Sequence, residues 1–368
     1  MAELLKNRYN EAFFKKFIAA FQKVKPDFEH QSFLTHIYDD TWESRELKQR
    51  MRHISTVLQA HLSDDFEDNV TVLLNTIPQL LKDGFKADSL EFIFLADFIE
   101  IYGLNHYETS IKAIEKMTQF VSCEFAVRPF IIKYEKPMMA QMLSWSNHSH
   151  ASVRRLASEG CRPRLPWAIA LPALKKDANS IISILDNLKT DSSEYVRRSV
   201  ANNLNDISKD HPLMVIELIK KWKGQSKATD ALLKHASRTL LKAGKSEVMQ
   251  LFGFGSIENI ELKDFKIHTP CLKIGESLIF SFKLINRDAV PLKLRLEYGM
   301  YYQKANGTLS KKVFKISEKE YKGHTETEIK RQQPFKVIST RRLHAGLHQV
   351  SVIVNGTEHE KLDFQLVH

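Results

Sequence analysis

The chain has 368 residues, a formal charge of +10, a pI of about 9.2 and 43% hydrophobic content. That length is more than one compact helical array needs and fits two domains, each able to bury a core. The basic balance favours an anionic partner, nucleic acid foremost. Three widely spaced cysteines without a C-x-x-C pair argue against a disulfide framework or a zinc site.

The opening MAELLKNRYNEAFF mixes charge with apolar residues and lacks the uninterrupted core of a signal peptide, and no run reaches the length of a membrane span. A cytoplasmic protein without membrane contact is expected. Phe13, Phe14, Phe17, Ile18 and Phe21 form the apolar stripe of a first helix, which Pro26 ends. Leu47, Met51, Ile54, Leu58 and Leu62 mark a second, with Lys48, Arg50 and Arg52 among them. Two more follow over Val70–Leu81, where Pro78 should kink or split the helix, and over Leu90–Ile101.

From about residue 105 the sequence repeats. In EYVRRSVANNLND, Val196, Val200, Leu204 and Ile207 form a buried stripe, while Arg198, Asn202 and Asp206 share another face with Asn205 beside them. About 43 residues earlier, in VRRLASEGCRPRLPW, Arg155, Glu159 and Arg162 take the places of Arg198, Asn202 and Asn205, a period close to HEAT and armadillo units. A weaker third copy puts Lys234, Arg238 and Lys242 on the same line. Partner helices open at Pro137 and Pro212, and Pro166–Leu188 should supply the partner of the Val153 helix. RPRLPW is a corner, not plain helix.

After Phe252 the period changes to two. SLIFSFKLIN, LKLRLEYGMYY and HQVSVIVNG read as strands, and Asn306–Gly307 and Asn355–Gly356 as hairpin turns. Residues 1–252 are therefore expected to form a helical domain and residues 253–368 a β-sandwich of immunoglobulin type. The second part holds 19 Lys+Arg against 13 Asp+Glu, with basic residues clustered at Lys330, Arg331, Arg341 and Arg342.

Among chemical motifs, the H-x-H at His148 and His150 has no third ligand at a suitable spacing, and GFGS lacks the strand–turn–helix setting of a phosphate loop. The repeat stripe carries the functional signal. Arg155, Arg162, Arg198, Lys234 and Arg238, with Arg164 in the corner, form a track suited to a phosphate backbone. Carboxylates in such a track repel phosphate, so Glu124, Glu159 and Asp206 call for a cationic ligand or a transition state that develops positive charge. As i, i+4 pairs, Arg155–Glu159 and Glu124–Arg128 also read as ordinary surface ion pairs. Trp167, after two prolines, falls outside any regular apolar stripe and is read either as core filler or as a flat surface for a sugar or base.

The segments EFAVRPF, VRRLASEGCRPRLPWA and VRRSVANNLNDISKDHP closely resemble the AlkC branch of the AlkD-like alkylpurine DNA glycosylases. The resemblance extends to LKQRMRHI near the N-terminus, and some members of this branch carry a C-terminal immunoglobulin-like domain. It implies an all-α HEAT-like helical solenoid followed by an all-β sandwich. It also implies a base excision repair enzyme that removes 3-methyladenine and 3-methylcytosine from duplex DNA without base flipping. Glu124, Glu159, Trp167 and Asp206 then stand at the family's lesion-facing positions, with Asp206 serving the water and sugar. No cofactor or metal is expected. The expected partner is duplex DNA with alkylated bases, bound by a monomer. The competing reading is a non-catalytic HEAT-like scaffold that binds nucleic acid through the same groove.

Overall fold

The computed structural model describes residues 4–337 and 342–368. Arg341 and the first three residues, which the readings above include, lie outside the described residues. Asn10 opens α1 (Glu11–Gln22) by accepting the Phe13 amide at 3.0 Å, and the aromatic stripe of this helix is buried. After α2 (His30–Ile37), a reciprocal Glu46–Gln49 capping box starts α3 (Leu47–Ala60). Next comes α4 (Phe66–Lys82), with Pro78 inside it. The expected split does not occur, because one lost amide near the C-terminal end leaves a 17-residue helix intact. The helices α5 (Ile93–Tyr102), α6 (Tyr107–Met117), α7 (Val127–Lys133) and α8 (Glu135–Trp145) follow, with Pro137 in the first turn of α8. Packing joins α3 to α5 and α4 to α6.

The repeat begins at α9 (Ala151–Gly160), where His150 is the N-cap and His148 braces it. Each ring accepts the backbone amide two residues on, at 2.9 and 3.2 Å, so the H-x-H is a helix start. The partner helix expected over Pro166–Leu188 is two pieces, α10 (Pro172–Lys176) and α11 (Asn179–Leu188), because the proline corner stays irregular through Leu171. The second copy is α12 (Glu194–Ile207), followed by α13 (Pro212–Trp222) and α14 (Lys227–Ala236). α9 packs on α12, and α12 packs on α14. The buried Ser158 and Ser199 hydroxyls meet at 2.7 Å, and Asn203 donates to the Ser158 carbonyl at 2.8 Å, pinning α9 to α12.

The repeat persists at the level of single hydrogen bonds. Arg154 donates from Nη1 to the carbonyls of His148 and Ser149 at 2.9 and 2.7 Å. Arg197, its counterpart, donates to the carbonyls of Asp191 and Ser192 at 2.6 and 2.9 Å.

Two short helices, α15 (Arg238–Lys242) and α16 (Ser246–Leu251), precede the strands. A turn at Ser237 separates α14 from α15, so Lys234, Arg238 and Lys242 do not share one helix face. Packing groups the residues up to Val215 with Lys221–Ala236, and groups Ile216–Lys220 with Ser237–His368. Residues 237–252 therefore group with the strands, and the division expected after residue 252 moves back along the chain. One reason lies at Gly244 (φ +67°) and Gly356 (φ +82°). A Cβ on Gly244 would stand 2.6 Å from the Gly356 carbonyl oxygen, so the turn after α15 lies directly on a β-hairpin.

The strands are β1 (Ile260–Ile267), β2 (Cys271–Lys273), β3 (Ser277–Asn286), β4 (Leu292–Gln303), β5 (Leu309–Tyr321), β6 (Thr325–Pro334), β7 (Gly346–Val354) and β8 (Thr357–Val367). One sheet has the order β1-β3-β6 and the other β2-β8-β7-β4-β5, antiparallel except for β2 beside β8. Alternate residues of both sheets, including Phe280, Phe282, Leu294, Leu296, Val350 and Val352, share one core. Asn306–Gly307 turns β4 into β5, and Asn355–Gly356, both at positive φ, turns β7 into β8. Among the described residues no helix is long and apolar enough to cross a membrane.

Candidate active site

A cleft of about 430 Å³ opens among α3, α5, α9, α12 and the loops at residues 88–90, 121–125 and 165–167. Its polar lining includes Lys48, Asp88, Ser122, Glu124, Arg155, Glu159 and Arg162, and its aromatic lining Phe125, Trp167 and Tyr195.

The charged groups form an alternating chain. Glu124 Oε2 accepts Ser122 Oγ at 2.7 Å and Arg155 Nη1 at 2.6 Å. The Arg155 guanidinium lies over the Tyr195 ring, 4.4 Å from its centre, and reaches within 3.8 Å of Glu159 Oε1. Glu159 Oε1 accepts Arg162 Nη1 at 2.6 Å. Arg162 binds Asp206 Oδ2 through both Nε and Nη2 at 2.9 Å, and Asp206 Oδ1 accepts Lys209 Nζ at 3.0 Å. Burial works to lower the pKa of Arg155 and of Arg162, but the neighbouring carboxylates outweigh it and hold both above the usual value. Both guanidiniums are therefore fixed cations that orient the carboxylates. Glu159 is 4% exposed, and its second oxygen, Oε2, has no hydrogen-bond partner.

Trp167 is 63% exposed and lines the cleft, so it is not core filler. Its φ of +66° is a left-handed conformation that a bulky residue rarely adopts. Lys48 Nζ donates to the Trp167 carbonyl at 2.7 Å.

The structure rearranges several residues named from the sequence. Glu124 and Arg128 do not pair, because Glu124 sits in a turn before α7 and points to Arg155. Arg128 is fully buried against backbone carbonyls. Asp206 is 2% exposed and lies behind Arg162 instead of lining the cleft. Arg162 is 7% exposed between two carboxylates, so its charge faces them and not an open phosphate track. Arg164 makes a two-point contact with Asp210 at 3.2 and 2.5 Å. Arg198 is exposed in a separate groove between α12 and α14, with Arg197, Glu194 and His235 along it. Lys234 lies half-buried on α14, and Arg238 begins α15 in the other packing unit.

Sequence reading missed Tyr195, Lys48 and Asp88. Tyr195 was legible, since it stands three residues before Arg198 and seven before Asn202 on the same face. Asp88 comes from a distant segment and carries no local signal, and Lys48, although it lies in LKQRMRHI, is brought to the cleft only by packing.

Both parts of the chain are similar to known proteins. A family described as "DNA alkylation repair enzyme" matches residues 95–240, and one described as "Uncharacterised protein YhaZ, C-terminal Ig-like domain" matches residues 261–368. The Bacillus subtilis (strain 168) protein YhaZ is 42% identical over 363 residues, 98% of this chain and 99% of that protein. The alkylpurine DNA glycosylase AlkC of Pseudomonas fluorescens, solved bound to DNA containing an abasic site analog, superposes over 100% of both chains. Its TM-score is 0.93 and its sequence identity 33%. The chain belongs to the AlkC branch of the DNA alkylation repair proteins. In this AlkC-type chain the matched repair segment contains the carboxylates, Trp167, Arg155, Arg162 and Tyr195, while Lys48 and Asp88 reach the cleft from outside it.

Proposed function

We propose that this protein is a DNA glycosylase that hydrolyses the N-glycosidic bond of cationic N3-alkylated bases, 3-methyladenine and 3-methylcytosine, in duplex DNA. The observation that carries the reading is Glu159: a buried carboxylate on the cleft, held by Arg162 through one oxygen and unpartnered at the other. An N3-alkylated base already bears positive charge and leaves without a general acid. The remaining tasks are to stabilise the oxocarbenium-like sugar and to hold a water. A carboxylate about 4 Å from that charge contributes roughly 4 kcal/mol at an effective dielectric of about 20, or on the order of a thousandfold in rate. Glu159 stabilises the positive charge that develops on the sugar and orients the attacking water, Glu124 faces the cationic base or the sugar, and Trp167 lies against the deoxyribose. Asp206 acts through Arg162, which divides its donors between Asp206 and Glu159.

In this reading the helical part is a HEAT-like solenoid, the β part an immunoglobulin-like sandwich, and the working form a monomer. Arg198, Arg164, Lys234 and Arg238 meet phosphates, and the β part, with its surplus of basic residues, adds to DNA affinity without taking part in chemistry. The lesion is attacked while stacked in the duplex. A second reading, extrusion of the base, is favoured by the cleft's volume, which lies in the usual range for ligand pockets, about 300–1,000 Å³. A 2-aminopurine at the lesion position brightens on extrusion and stays dim if the base remains stacked.

The deciding experiment incubates the protein with methylated duplex DNA and identifies released bases by chromatography. Release of 3-methyladenine or 3-methylcytosine with an intact backbone supports the glycosylase. Binding without release makes the groove a scaffold.

A further inference from the structure

We propose that Arg128 is a positioning residue for Trp167, fixing from beneath the loop that carries this indole. Arg128 is fully buried, yet all its hydrogen bonds go to backbone carbonyls. Nη1 donates to Gly160 at 2.9 Å and to Arg162 at 2.8 Å, and Nε donates to Ile169 at 2.6 Å. Nη2 has no partner. Burial lowers its pKa to about 10. A guanidinium buried without a paired carboxylate is costly, and an apolar side chain would fill the same space more cheaply. What the guanidinium adds is direction.

The three acceptors bracket one loop. Gly160 and Arg162 stand at its start and Ile169 at its end, with Trp167 between them. The loop contains Pro163 and Pro166, which donate no amide, and its own backbone bonds are long: Ala168 to Leu165 and Leu171 to Pro163, both 3.3 Å. Those bonds do little to hold Trp167 at φ +66°. Arg128 ties the two ends of the loop together, and Lys48 holds the Trp167 carbonyl between them. Gly160 permits the arrangement, since a Cβ there would stand 2.6 Å from Val127 Cγ2 and push α7, which carries Arg128, away from α9.

The inference rests on the glycosylase reading for its consequence, but the order of the loop can be measured without substrate. The chain has four tryptophans. Trp42, Trp145 and Trp222 are 3%, 1% and 0% exposed, and Trp167 is 63% exposed. Full-length protein labelled with 5-fluorotryptophan gives four fluorine NMR lines, and Trp167→Phe assigns one of them. In Arg128→Met and Arg128→Lys the Trp167 line should shift or split while the other three stay in place. The single-turnover excision rate at saturating DNA should fall at least tenfold in Arg128→Met and less in Arg128→Lys, with DNA affinity within threefold of wild type. Should Arg128→Met fail to fold, Arg128→Lys decides by the same readings. An unmoved Trp167 line in a folded variant overturns the proposal, as does a moved line with excision within twofold of wild type. If the wild type excises nothing, the glycosylase reading fails and the fluorine spectrum alone decides the role of Arg128.

Discussion

In both α9 and α12 the first arginine of a Val-Arg-Arg run folds back onto the carbonyls five and six residues earlier. The residues that follow diverge. In α9 the second arginine, Arg155, is drawn into the cleft by Glu124 and Tyr195, with Glu159 and Arg162 one and two turns on. In α12 the second arginine, Arg198, is exposed in a groove, and the equivalent places hold neutral Asn202 and Asn205. One scaffold thus serves two purposes. The backbone-directed arginine shapes the repeat, and the positions one turn on determine whether a helix presents carboxylates or an open cation.

The sharpest test of that division is Glu159→Gln. It should lower single-turnover excision by roughly a thousandfold, the worth of one carboxylate charge at about 4 Å, with DNA affinity nearly unchanged. Excision within tenfold of wild type would remove Glu159 from the chemistry.

Asp191 tests the shared scaffold, because its carboxylate binds Arg154 at 2.5 Å and its carbonyl accepts Arg197. Burial raises its pKa, but Arg154 and the Ser193 amide outweigh that effect, and the folded value lies below the ordinary one. A depressed carboxyl stabilises the fold above its unfolded pKa, and that contribution is lost as the pH falls through the folded value. Asp191→Asn should therefore cost about 2 kcal/mol at neutral pH, the scale of a charged hydrogen bond. The gap to wild type should begin to narrow near about pH 4, the ordinary Asp value, and close only as the pH falls through the lower folded value. Denaturant melts at neutral and acid pH measure both; a gap that persists in acid would show that the charge of Asp191 is not what matters.

Asp206→Asn should lower excision by about tenfold, as one charge-assisted hydrogen bond lost behind Arg162. A loss as large as that of Glu159→Gln would bring Asp206 forward to the water. The smallest effect belongs to the second copy. Arg198→Ala should flatten the dependence of log affinity on log salt by about 0.9 and leave the rate at saturating DNA alone. An unchanged slope takes Arg198 off the phosphate track.

The sequence by itself determined the helices, the strands and the repeat. Burying apolar side chains at periods of 3.6 and 2 is a local requirement, legible in Val196–Ile207 and in SLIFSFKLIN. It also determined which residues share a face, because two copies 43 residues apart put Arg155 and Arg198 at equivalent places. Ion-pair choice was not legible. Glu124 stands four residues from Arg128 in sequence, yet it pairs with Arg155 because a turn, not a helix, carries it. Tertiary structure alone placed Asp206 behind Arg162, brought Lys48 to a carbonyl 119 residues away, and buried Arg128 under the Trp167 loop. The physical reason is reach. Helical periodicity specifies which way a side chain points, whereas the charge it meets there depends on loops and distant helices whose approach is set by packing.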